Sequence, residues 1–345
     1  MASGNIQALG DGIRVLPYAA GGGLPVVIEP ACNLLRDDLG GFVDWFVERS
    51  ERFDDLVTAV GAFVLRGFPI TDTAAFAQLV DHYPALEFGY SAGTAFRGAI
   101  AGRVYEATRQ PSDQKIFLHT EMAYLPVYPS RLAFFCAAAP DSGGETILGD
   151  MRRYATLVPP ALMEEVERRG CQYVRNLRSQ ERSTGQPLLD AFHKTWQDAF
   201  GTEDRADVER RCHQMGLTHE WLTDGSLSLT HRATGFATHP RTHQAIWFNH
   251  IVQQSFCRAM LGNEHFDLQE QCYSQGPMTR PHQVFYGDGG PLTVEDLGHL
   301  FELLDEVTVA LPWQERDVMV IDNIYTAHGR NPFTGERDVQ VVLIA

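Results

Sequence analysis

The chain has 345 residues, 44% of them hydrophobic, which is enough to bury a large core in one or two domains. A formal net charge of −16 argues against broad binding to nucleic acid or anionic membranes, because counterion release needs a basic surface. No apolar run approaches the roughly 18 residues of a membrane span, so no span is expected.

In chain order, the start Met1-Ala2-Ser3-Gly4-Asn5 lacks the basic-then-apolar layout of a leader, and a cytoplasmic address is the expectation. Residues 1–30 are Gly- and Pro-rich around Ala20-Gly21-Gly22-Gly23-Leu24-Pro25 and read as a lead-in with one strand, Val26-Val27-Ile28. Asn33 to Val60 places Leu34, Leu35, Leu39, Phe42, Val43, Phe46 and Val47 at helical spacing, which predicts one amphipathic helix or a pair. Ala62 to Phe68 reads as a strand, and Thr71 to His82 as a helix capped by Thr71 or Asp72. Phe88 to Arg109 is Gly-rich and hydroxylated, with Arg97 at its middle. Arg131 to Ala139 is strand-like, Gly143-Gly144 turns into Thr146-Ile147-Leu148, and Leu157 to Arg169 is a helix opened by Pro159-Pro160.

Leu177 to Met215 is rich in charge and Gln and reads as helical, its run Glu203 to Arg211 forming a solvated face. Ser226 to Thr230 and Ala245 to Asn249 are strand-like, Tyr286 to Pro291 carries turn signals, and Val294 to Ala310 is a helix capped by Thr293. Val318 to Ala345 supplies closing strands. The pattern predicts a mainly β protein with helical insertions, a sandwich or jelly roll. The expected organisation is a single catalytic domain, 1–345, with 1–60 as lead-in and helices and 177–245 as a helical lid insertion. The six cysteines form no C-x-x-C, so zinc knuckles and thioredoxin chemistry are disfavoured and buried thiols are expected.

The candidate chemistry sits in Phe117-Leu118-His119-Thr120-Glu121-Met122-Ala123-Tyr124 and Ala327-His328-Gly329-Arg330. In an extended segment His119 and Glu121 would share a face, and His328, fed by the apolar run Val318 to Ile321, would complete three ligands. Two imidazoles and a carboxylate with the opposite face open is the non-haem Fe(II) oxygenase arrangement. With thirteen His and forty-four acidic residues in the chain, H-x-E alone is unspecific; the surrounding segments carry the weight. Those segments are Ile116 to Tyr124, Gly143-Gly144-Glu145-Thr146, and Asp322-Asn323-Ile324-Tyr325-Thr326-Ala327-His328-Gly329-Arg330-Asn331-Pro332-Phe333-Thr334-Gly335-Glu336-Arg337.

Their order, from about Gly61 to the end, resembles the taurine dioxygenase and clavaminate synthase-like family of Fe(II)/2-oxoglutarate oxygenases. The H-x-E variant is most similar to the branch that hydroxylates amino acids in peptide natural-product pathways. The resemblance implies a double-stranded β-helix core, with His119, Glu121 and His328 as iron ligands. It further implies that Arg337, with Thr146, holds the distal carboxylate of 2-oxoglutarate, a task suited to a forked guanidinium; Arg330 is the competing residue. The implied reaction uses O₂ and converts 2-oxoglutarate to succinate and CO₂ while an unactivated C–H of an amino acid or similar metabolite, free or carrier-tethered, is oxidised. Desaturation and cyclisation use the same ligands, and the retained Glu121 disfavours halogenation.

Many relatives carry a further Arg beyond this one, whereas here the chain runs Asp338-Val339-Gln340-Val341-Val342. A substrate carboxylate must then find its partner elsewhere, with Arg97 or Arg103 as candidates. His250, in Phe248-Asn249-His250, reads equally as a site residue or a structural histidine. From ligand type alone, a zinc hydrolase or a non-catalytic zinc-binding sandwich stays open; the Thr146 and Arg337 pair is what such a protein would not need.

Overall fold

The computed structural model describes residues 9–18, 24–94, 97–275 and 279–345. Residues 1–8 and the glycine run 20–23 of the lead-in lie outside the described residues. The protein is mainly β with helices. The largest sheet has eight strands in the order Ile13–Pro17, Val26–Pro30, Ala62–Leu65, Val318–Asp322, Arg131–Ala138, Asp338–Ile344, Val104–Glu106 and Ala99–Ala101. Every pairing is antiparallel except Val26–Pro30 beside Ala62–Leu65. That parallel pair needs a long crossover, and three helices supply it: Asn33–Asp37, Leu39–Glu48 and Ser50–Val60.

Strand alternation gives this sheet two buried faces. Phe135, Val320 and Val342 point to one side, where Phe42, Phe53 and Phe76 of the N-terminal helices cover them. Phe134, Met319 and Val341 point to the other side, into a second core. A four-stranded antiparallel sheet lies there, in the order Thr308–Leu311, Thr146–Asp150, Thr326–Arg330 and Ile116–His119. The ring of Phe134 sits 5.3 Å from that of His328 on the smaller sheet. The two sheets therefore face each other across the residues singled out for chemistry.

Several caps match the sequence reading. Asp72 accepts from Ala75 N at the start of helix Thr73–Val80, Thr293 accepts from Asp296 N before Val294–Glu306, and Pro160 opens Pro160–Arg169. The charge run forms helix Arg205–Met215, which buries Val208, Cys212 and Met215 and leaves its charges outward.

Other elements differ. Segment 177–245 is not a purely helical insertion: helices Pro187–Phe192, Trp196–Phe200 and Arg205–Met215 are followed by strands Thr218–Trp221, Leu227–Ala233 and Phe236–Thr238. The first two of these strands join Cys171–Leu177 and His282–Tyr286 in a third sheet. Helices Met151–Leu157 and Arg258–Gln275 and strand Ile13–Pro17 carry too little periodicity to read. The cysteines are free, with Cys136, Cys171, Cys212 and Cys257 buried. Among the described residues no helix is long and apolar enough to cross a membrane.

Candidate active site

His119 ends strand Ile116–His119, and His328 is its direct partner across the antiparallel ladder. Facing strands bring their side chains together, and the two imidazole rings lie 4.4 Å apart. Glu121 is not in the extended segment that the H-x-E spacing implied. It occupies a turn just past the strand end, and Met122 behind it takes a left-handed φ of 60°, a conformation costly for an unbranched bulky side chain. Asn323 holds that turn. Its Oδ1 accepts from Glu121 N at 2.6 Å, and its Nδ2 donates to Glu121 O at 3.0 Å and Pro129 O at 2.8 Å. Glu121 thereby still meets both histidines: Oε2 is 3.5 Å from His328 Nε2 and 3.9 Å from His119 Nε2.

The three ligand atoms lie within 4.8 Å of one another. Donors sharing one ion at ~2.1 Å bond lengths stand about 3–4 Å apart, so the set fits a metal better than a hydrogen-bonded triad. His119 Nδ1 faces Phe117 O at 2.9 Å, which leaves Nε2 as the free lone pair. His328 Nδ1 is buried without a partner.

Burial, followed by the neighbouring His328, pushes His119 down to about 3. Burial would raise Glu121, but the His328 hydrogen bond, Arg97 and His119 outweigh it and bring the carboxyl down to about 2. At neutral pH the set is one anion and a neutral His119, ready for a divalent cation. Close approach of the ligand strands depends on Gly329, where a Cβ would meet Ile116 O at 2.3 Å and Ile147 at 3.0 Å. The His-Gly-Arg order thus has a steric cause.

The triad opens into a cavity of about 740 Å³. Thr146 and Arg337 both line it. Thr146 Oγ1 accepts from Trp313 Nε1 at 2.9 Å, which leaves its own proton to donate. Arg337 spends only Nε, on Gly144 O at 3.0 Å; burial and the neighbouring Arg330 lower it to about 10. Arg330 is engaged quite differently. Its guanidinium donates to the carbonyls of Gln110, Pro111 and Gln114 and so ties a loop to the ligand strand.

Of the other candidates, Arg97 lines the cavity and Arg103 does not. Arg103 donates to Tyr83 O at 2.7 Å and to Val80 O, which is a structural task. His250 lines the cavity but its Nε2 is bonded to Thr120 O at 2.6 Å, so it buttresses the ligand turn. Sequence reasoning missed Asn323, although it lay within a quoted segment, because a clamp on backbone 202 residues away has no local signature.

Comparison with known proteins agrees with this geometry. The family described as "Taurine catabolism dioxygenase TauD, TfdA family" matches residues 34–343. The chain belongs to this family. It is 30% identical to the dapdiamide synthesis protein DdaC of Enterobacter agglomerans over 298 residues, 84% of each chain. It is 31% identical to the clavaminate synthase-like protein At3g21360 of Arabidopsis thaliana over 323 residues, 91% of this chain and 92% of that one. Among solved structures, PvcB from Pseudomonas aeruginosa is similar in fold, with TM-score 0.50 and 17% identity over 97% of this chain and 92% of that chain. A second PvcB structure is described as an Fe, alpha-ketoglutarate dependent oxygenase from an isonitrile synthetic pathway. As a member of this family, the protein is a dioxygenase that uses Fe(II), 2-oxoglutarate and O₂.

Proposed function

We propose that this family member hydroxylates an unactivated C–H bond of an amino acid or amino-acid-like metabolite, free or carrier-tethered, in specialised metabolism in the cytoplasm. In this reading the two facing sheets are a double-stranded β-helix, and His119, Glu121 and His328 are the iron ligands. Arg337 and Thr146 hold the distal carboxylate of 2-oxoglutarate. The observation that carries it is the triad opening on one cavity with an Arg whose terminal nitrogens are unspent. A hydrolytic zinc site has no use for that cation. The relatedness to a dapdiamide synthesis protein supports the biosynthetic setting.

When bound, iron with 2-oxoglutarate and O₂ supplies an oxidant strong enough to take hydrogen from carbon, and 2-oxoglutarate leaves as succinate and CO₂. The chain contributes position and seclusion. Asn323 fixes the Glu121 turn, Phe117 O sets the tautomer of His119, Phe134 packs on His328, and Arg337 with Thr146 would hold the distal carboxylate of the co-substrate. Phe134, Val339 and Val341 add apolar side chains to the cavity wall beside the triad.

The test is anaerobic titration of the protein with Fe(II) and 2-oxoglutarate. A visible charge-transfer band is expected, absent when either is omitted, and succinate should follow on admitting O₂. A protein that takes up zinc alone, with no band and no succinate, would reverse the reading.

A further inference from the structure

One buried cation takes no part in the site as described. Arg175 lies in strand Cys171–Leu177 and is 2% exposed. Among the described residues, none of its three guanidinium nitrogens has a hydrogen-bond partner, whereas a buried charge is normally paired because its desolvation is costly. The guanidinium lies 4.8 Å from the ring centre of Tyr124, a contact too weak to replace a counterion.

Its direction is set by register. Arg175 stands opposite His282 in the antiparallel ladder, so both point to the same face; His282 lines the cavity that holds the triad, and Arg175 lies behind that lining. Tyr173, two residues earlier and on that face, accepts at its hydroxyl from His250 N at 2.9 Å. Tyr124 beneath the guanidinium accepts from Thr94 N at 2.8 Å, and Thr94 and His250 also line the cavity.

Two more cations share this corner. Lys194, 5% exposed, donates to Gly93 O at 3.2 Å, and Arg97 lines the cavity with its Nε buried and unpartnered. They act on one another: burial first, then Arg175 and Arg97, pull Lys194 down to about 8, while Asp198 pulls the other way. The cavity wall itself offers Arg97, Lys115, Arg330 and Arg337 against a single carboxylate, Glu121, which belongs to the metal set. No acidic side chain remains there, among the described residues, for the ammonium of a zwitterion.

We propose that Arg97 at the cavity wall, backed by the buried charges of Arg175 and Lys194, receives the carboxylate of an anionic substrate whose nitrogen carries no charge, an N-acylated amino acid in place of a free one. The proposal rests on the oxygenase reading and narrows its substrate class. Arg175 in this account is a charge held behind the binding wall, kept at a cost to the substrate-free protein.

The experiment compares wild type and Arg175→Met, both loaded anaerobically with Fe(II) and 2-oxoglutarate, by thermal shift and by perturbation of the charge-transfer band. The probes are three matched panels: N-acetyl-L-amino acids, the free L-amino acids, and the N-acetyl amino-acid carboxamides. Members of the first panel are expected to stabilise wild type and perturb the band. Their free and amide counterparts should do so about 30-fold less well, and Arg175→Met should lose a similar factor. Without any probe, Arg175→Met should melt higher than wild type, because an unpaired buried charge is removed.

A lower melting point for the variant overturns the proposal, since Arg175 would then be a structural member of the core. Equal binding of free amino acids or carboxamides, no response to any N-acetyl acid, or unchanged binding by the variant also overturns it. The band with 2-oxoglutarate alone separates the two readings. If it is missing in wild type, the oxygenase reading fails; if it is present while these outcomes fail, only the substrate class does.

Discussion

Each side chain of the proposed ligand set is held by a different neighbour, so single substitutions should separate metal binding from folding. His119 leans on Phe117 O, Glu121 is set by the Asn323 clamp, and His328 packs on Phe134. Replacing His119, Glu121 or His328 by Ala removes a polar group that no secondary structure depends on. Each variant should lose iron on dialysis and lose succinate production, with a melting temperature near wild type; retention of both iron and turnover in one variant would strike that residue from the set. Arg337 and Arg330 separate in the same way. Arg337→Ala should raise the 2-oxoglutarate requirement roughly 30- to several-thousand-fold, the range for losing one partner of a buried charge pair at ~2–5 kcal/mol. Arg330→Ala frees the three carbonyls of Gln110, Pro111 and Gln114 and should lower stability more than co-substrate affinity. The opposite pattern in saturation curves and melting data would exchange the two roles.

Strand pairing converts these residues into a site, and Gly329 is its tightest point. A methyl group there would meet Ile116 O at 2.3 Å, where backbone cannot yield as a flexible side chain can. Gly329→Ala should therefore push apart Ile116–His119 and Thr326–Arg330, costing about 1–3 kcal/mol and weakening iron binding through displaced His119. Undiminished iron affinity and melting temperature would mean the ladder tolerates the bulk. Legibility follows the same division between local and distant causes. The helix caps at Asp72 and Thr293, the strands at Ala62 and Arg131, and the ligand motifs were readable because each is written within a few residues. The strand Cys171–Leu177 was not, although Cys171, Tyr173, Arg175 and Leu177 alternate in phase and Arg175 stands out among them. Helix Arg258–Gln275 is broken at Gly262, with φ 72°, and has no single apolar stripe to read. The place of Glu121 in a turn was hidden because its cause, Asn323, comes from the far end of the chain.

Across the whole molecule, charge is divided unevenly. The chain carries −16, yet the cavity wall sets four cations against Glu121, an interior that attracts anions into a protein whose net charge repels them. Chloride is such an anion, and this gives the reaction outcome a definite test. If His119, Glu121 and His328 hold iron as proposed, three protein ligands, 2-oxoglutarate and dioxygen would together fill its six positions. Chloride then enters only if a protein ligand leaves. Glu121 is poorly placed to leave, because its backbone is pinned on both sides by Asn323. Wild-type enzyme turning over in concentrated chloride under ¹⁸O₂ should therefore yield a product with one ¹⁸O atom and no chlorine. Glu121→Gly opens a position but also removes a ligand charge, and should give mostly inactive protein. Mass spectrometry of the product reads the result directly. A chlorinated or unlabelled main product would overturn hydroxylation, and one lighter than substrate by two hydrogens would assign desaturation or ring closure.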